Sequence, residues 1–140
     1  MSEYGEKKVA YLQMIQGVIN RLASTSASFK GFAITLFAGI LAVVFSVGGP
    51  HRVMVLSLAF VGLVVIAGFD CWYFKMEKRY RRLYDLVLDD AHPIDFNLTN
   101  DKSIEVNTSE VISSKSVWLF YAVLLGVYII LIVLCVAGCL

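Results

Sequence analysis

Long stretches without charge divide the chain. Gly31–Pro50 (GFAITLFAGILAVVFSVGGP), Val53–Phe69 and Ser116–Leu140 (SVWLFYAVLLGVYIILIVLCVAGCL) hold no Asp, Glu, Lys or Arg, and apolar-aromatic character continues to Phe74. A helix rising 1.5 Å per residue needs roughly 20 apolar residues to cross about 30 Å of hydrocarbon. The pattern therefore predicts three transmembrane helices, over 31–49, 53–74 and 116–138. Ahead of the first, within a 1–30 segment, Tyr11, Ile15, Val18 and Leu22 recur at i, i+4, i+7 and i+11, with Met14 and Ile19 widening the stripe. That spacing predicts an amphipathic helix. Few cations line its polar face, so it is expected to pack on the ends of neighbouring spans rather than lie in the lipid interface.

Segment 75–115, between the second and third spans, predicts a different extension. Met76, Tyr80, Leu83 and Val87 repeat at heptad-like spacing, and Glu77–Arg81 and Arg81–Asp85 are i, i+4 pairs, so the second helix should continue past its span. It should stop in Asp89–Pro93, because the residue before a proline avoids the helical region. Ile94, Phe96 and Leu98 then alternate with polar residues, as do Ile104 and Val106 beyond a TNDKS turn. The alternation predicts a small β-hairpin. The expected fold class is an all-α membrane protein: three transmembrane helices, an N-terminal amphipathic helix and a small cytoplasmic helix-plus-hairpin extension.

Composition agrees with the pattern. Of 140 residues 59% are hydrophobic and 16% charged, against the quarter or so charged in a typical soluble domain, and the mean hydropathy is +0.75. Charge adds an orientation. Of 12 Lys and Arg residues only Arg52 lies in the short 48–52 connection; the others precede the first span or lie between the second and third. By the positive-inside rule the N-terminus and the 75–115 segment are cytoplasmic, with the C-terminus outside. No cleavable signal peptide is expected.

Candidate chemistry is sparse. There is no Gly-rich phosphate loop, HExxH, nucleophile elbow or CxxC, so no enzyme and no cofactor are expected. His51 and His92 fall on opposite sides of the membrane, and Cys71, Cys135 and Cys139 read as packing residues, so no metal site is expected. Asp70, at the edge of the second span, is a candidate gate or ion site. A carboxylate there is costly, and the competing reading pairs it with Arg21, Lys30 or the following helix. Thr35, Ala38, Gly39, Ala42 and Ser46 share one face of the first span, opposite Leu36, Phe37, Ile40, Leu41 and Val44. Small residues suit a tight helix–helix seam, or a pore wall wetted by two hydroxyls. Lys75, Lys78, Arg79, Arg81 and Arg82 form a basic cluster. Topology alone accounts for it, and a cytoplasmic anion site is the sharper alternative, with Tyr73, Tyr80 and Tyr84 available for stacking on bases.

The segments YLQMIQGVINRLASTSASFKGF, FDCWYFKMEKRYRRLYD and PIDFNL resemble a family of small bacterial three-span membrane proteins. Tyr11–Arg21, Lys30–Gly31, Asp70, Tyr73, Glu77, Arg81, Leu83–Asp85 and Ile94–Phe96 match its pattern; Leu22, Thr25, Ala27 and Phe32 depart from it. Some members occur in anti-phage defence loci, and the nearest functional class is the Hailong-type membrane effector linked to a nucleotidyltransferase. The resemblance implies a bacterial inner-membrane homo-oligomer, a tetramer foremost, conducting ions under control of a nucleotide or oligonucleotide made by that partner. The ligand surface would comprise Arg21, Lys30, Lys75, Lys78, Arg79, Arg81 and Arg82. The alternative is a non-conducting anchor or regulatory subunit docking a soluble cytoplasmic partner. A phage-type holin ranks last, because its usual topology differs.

Overall fold

The computed structural model describes residues 3–48, 51–98, 104 and 106–137, the side chains at 110, 112, 115 and 116 excepted. Four helices follow in order: α1 (Glu3–Ser46), α2 (His51–Leu88), α3 (Thr108–Ile112) and α4 (Lys115–Val136). Three of them, α1, α2 and α4, are long and apolar enough to cross a membrane. The amphipathic segment and the first span are one unbroken helix. At 1.5 Å per residue the 44 residues of α1 extend roughly 66 Å, about twice the hydrocarbon thickness. Part of α1 must therefore project as a stalk.

A single seam holds α1 against α2. The buried positions of α1 are Tyr11, Ile15, Ile19, Leu22, Ser26, Ala33 and Val44; those of α2 are Leu56, Ala59, Leu63, Asp70, Glu77, Leu83 and Val87. Most steps in both sets are three, four or seven residues, which keeps one face of each helix turned to the other. The helices are antiparallel: Ser26 meets Asp70, and Lys8 reaches the Leu88 carbonyl. Near the turn the bulky face of α1 does the packing. Leu36 lies where Gly62 leaves room, for a Cβ on Gly62 would come within 3.3 Å of Leu36 Cδ2.

Both helices end in defined caps. Arg52 Nε donates to the Val47 carbonyl at 2.6 Å, placing a cation at the C-terminus of α1. At the end of α2, Ala91 N–H bonds Leu86 O (2.9 Å) and Asp90 N–H bonds Val87 O (3.3 Å), the two bonds of a Schellman motif. That motif needs a left-handed residue, and Asp90 supplies it at φ 56°. Pro93 follows as a second barrier to helix.

The predicted β-hairpin is not formed: no strand occurs among the described residues. Residues 91–98 instead run as an irregular strap over the stalk, where Ile94 and Leu98 pack on the cluster of Tyr11, Ile15, Ile19, Leu83, Val87 and Ile104. Alternating apolar residues satisfy a helical surface as well as a sheet, and a lone hairpin is marginal in water. Gly49–Pro50, the Thr99–Ser103 turn and Cys139 lie outside the described residues. Beyond the strap, α3 leads into α4, whose backbone lies along α2 rather than α1. Tyr128 enters a second cluster with Val44, Leu56 and Ala59.

Candidate functional site

The sequence puts one carboxylate at the edge of an apolar span, and the fold closes three helices around it. Asp70 is fully buried. Its Oδ1 accepts from the Ser26 hydroxyl and, at 3.2 Å, from Lys30 Nζ, both on α1. Its Oδ2 is 2.9 Å from Lys30 Nζ and accepts from the Tyr121 hydroxyl of α4 at 3.1 Å. Lys30 Nζ also donates to Ser26 Oγ at 3.1 Å. Each oxygen thus has two donors, and the ammonium has three acceptors. A charge withdrawn from water is tolerated when it is paired and its remaining hydrogen-bonding capacity is used, and no buried side-chain N or O among the described residues lacks a partner.

Aromatic residues gather at this level. Phe29 stacks on Phe69 with centroids 5.9 Å apart and meets Tyr73 at 5.4 Å. Trp72 and Trp118, the chain's only tryptophans, lie near the clasp in sequence and are 55% and 62% exposed. Amphipathic rings favour the zone between hydrocarbon and water. A Lys at that depth can reach water with its stem in lipid, yet the Lys30 side chain is only 20% exposed because Asp70 draws it inward.

The basic cluster is also engaged within the chain. Arg81 pairs with Glu77 at 2.7 Å, Lys75 donates to Thr108 Oγ1 at 2.9 Å, and Arg79 Nε donates to the Ile104 carbonyl at 3.0 Å. Lys78 Nζ sits 5.5 Å from the centroid of the Phe74 ring. Two tyrosines complete the hold on the strap: Tyr80 and Tyr11 donate to the Leu98 and Asn97 carbonyls, each at 3.0 Å. Burial, then the Asp95 carboxylate beside it, pushes the Tyr11 phenol above its ordinary range. Further along the stalk, Lys8 holds Asp90 at 2.7 Å and Tyr4 reaches the same oxygen at 3.2 Å. The hydrogen bond and charge of Lys8 keep the Asp90 carboxyl below the usual range.

Among the described residues the small face of α1 has no partner helix. Thr35, Ala38, Gly39, Ala42 and Ser46 are all exposed. The two hydroxyls bond back to their own helix, Thr35 to Gly31 O at 3.0 Å and Ser46 to Ala42 O at 2.8 Å. The expected anion-site residues are placed as follows. Lys30 belongs to the Asp70 clasp, Arg21 is exposed on α1, and Lys75, Arg79 and Arg81 have partners along α2 and the returning strap. Pairing of Asp70 with Lys30 was one of the readings open in sequence; Ser26 and Tyr121 carried no sequence signal. A scan against protein-family models finds no match, and searches of the curated proteins and of the solved structures find none either.

Proposed function

We propose that this chain is the membrane subunit of an oligomeric, channel-type effector, with the α1–α2 stalk on the cytoplasmic side of a bacterial inner membrane. The observation that carries this reading is the uncovered small face of α1. Gly17, Gly31 and Gly39 fall within an arc of roughly 80° at 100° per residue, on the same side as Thr35 and Ala42. A Cβ added to any of the three would meet nothing within 4 Å. Glycine inside a helix costs about 0.5–1 kcal/mol relative to alanine, and packing within this chain supplies no return for it. Close approach of a second copy along α1 does. Three spans from one subunit enclose no path, so conduction requires such an assembly, with Thr35 and Ser46 near the route.

The anti-phage role and the nucleotide or oligonucleotide ligand come into this proposal from the sequence resemblance alone. A ligand on the basic stalk face would compete with the contacts Lys75 and Arg79 make to Thr108 and Ile104. Purified protein in potassium-loaded vesicles tests the reading: potassium efflux is expected, alone or on addition of short oligonucleotides. Charge reversal at Arg79, Arg81 and Arg82 is expected to change the ligand response while insertion persists. Vesicles that stay tight under every condition would refute conduction.

A specific observation favours the second reading, a non-conducting anchor for a soluble partner. Tyr4, Val9, Met14, Leu86, Leu88 and Phe96 are exposed on the stalk, beyond the apolar spans. A cytosolic protein that co-purifies at fixed ratio with tight vesicles would select that alternative.

A further inference from the structure

We infer that the Asp70 clasp is a latch that holds one end of α4, and that α4 is the moving helix of this protein. Among the described residues the polar side-chain bonds from α4 to the rest of the bundle come from Tyr121 and Tyr128, seven residues apart and so on one face. They are unlike. Tyr121 donates to a carboxylate, and a charge-assisted bond is roughly twice as strong as a neutral one. Tyr128 donates to the Leu56 carbonyl, a fixed backbone acceptor that no change of charge can remove. In lipid no hydrophobic force presses one helix on another, so packing and such bonds decide where a helix sits.

The two ends of α4 therefore respond differently. At the stalk end its position depends on Asp70 keeping an oxygen turned toward Tyr121, which in turn depends on Lys30 and Ser26 balancing the charge. Near the middle of α4 Tyr128 acts as a pivot within the Val44, Leu56 and Ala59 cluster, and Ile132 and Cys135 beyond it pack on the same cluster. The start of α3 is held at the same stalk end, since Lys75 donates to Thr108. Anything that draws Lys30 or the strap away loosens α4 at the stalk and leaves the pivot in place. The inference concerns motion of the helix and stands whether or not the assembly conducts.

Spin-label distances in vesicles test it, with Cys71, Cys135 and Cys139 replaced by alanine and labelled chains diluted in unlabelled protein. One pair, at Phe32 and Leu119, reads the stalk end; another, at Phe45 and Val133, reads the far end. Tyr121→Phe removes a hydroxyl and no ring volume. It is expected to lengthen and broaden the 32–119 distribution by several ångströms, with a clearly smaller change in the 45–133 distribution, since Val133 lies closer to the pivot and between Ile132 and Cys135, which pack on its cluster. Lys30→Met should give the same end-specific change, because an unbalanced carboxylate turns toward water and leaves Tyr121. Tyr128→Phe should move the 45–133 pair instead. Parent-like 32–119 distances in Tyr121→Phe, or equal loosening at both ends, would overturn the latch.

Discussion

Asp70 shows how much one side chain can be asked to do at the edge of a membrane. Its burial would cost several kcal/mol unpaired, and Lys30, Ser26 and Tyr121 remove that cost only by arriving from two other helices. Asp70→Ala removes the shared acceptor of Ser26, Lys30 and Tyr121, and although Lys30 can then turn toward water, a loss of about 1–3 kcal/mol is expected in a denaturant titration in detergent. The Lys30→Met, Asp70→Leu double variant should recover much of it, since neither charge then lacks a partner. Equal losses in the single and double variants would mean that the pair contributes nothing. Sequence reading reached Asp70 and named Lys30 as a potential partner because a carboxylate in an apolar run is conspicuous. Ser26 sits in the bland run STSAS, and Tyr121 is one aromatic among many in the last span. Their roles depend on which faces of α1 and α4 meet α2, which no local pattern specifies.

Among the elements, the stalk and its strap are held by bonds that can be addressed singly. The Lys8–Asp90 contact joins the start of α1 to the cap of α2. Since the Asp90 pKa is lowered on folding, the stabilisation is present above the ordinary carboxylate value, about 3.9, and is lost as pH falls through the lowered folded value. Amide exchange in the first turns of α1 should accordingly speed up in acid, and Asp90→Asn should remove that pH dependence. Besides the packing of Ile94 and Leu98, the strap is fixed by tyrosines donating to its Asn97 and Leu98 carbonyls. Tyr80→Phe should therefore hasten proteolytic cleavage within residues 91–107 severalfold, with α1 and α2 left intact; an unchanged cleavage rate would assign the strap to apolar packing alone. Of the predicted stripes, Tyr11, Ile15, Ile19, Leu22, Leu83 and Val87 are buried as helix period requires, whereas Met14 is exposed and Val18 only half-buried. The strap differs from the expected hairpin because Ile94, Phe96 and Leu98 alternate as a strand would, although the Asn97 and Leu98 carbonyls meet tyrosines rather than a second strand. A continuous α1 is one of the readings that Ser24–Ser28 leaves open, since serine and threonine are weak helix formers, and packing of Ser26 against α2 decides for it.

At the scale of the whole molecule, the spans are mostly uncovered within one chain, as lipid-facing helices are, but they are not uncovered alike. Met54, Leu58, Val61, Val133 and Val136 present bulky apolar groups suited to acyl chains. The outer face of α1 presents glycine, alanine and back-bonded hydroxyls over the same depth. This asymmetry is what turns a three-helix unit into one expected to assemble, and assembly is the premise of conduction. The most direct measurement is oxidative cross-linking in native membranes from single cysteines in a cysteine-free background. Cysteines replacing Thr35 or Ala42 are expected to give disulfide-linked dimers in high yield, while cysteines replacing Met54 or Val133 stay monomeric. Equal yields at all four positions, or monomers throughout, would contradict the account.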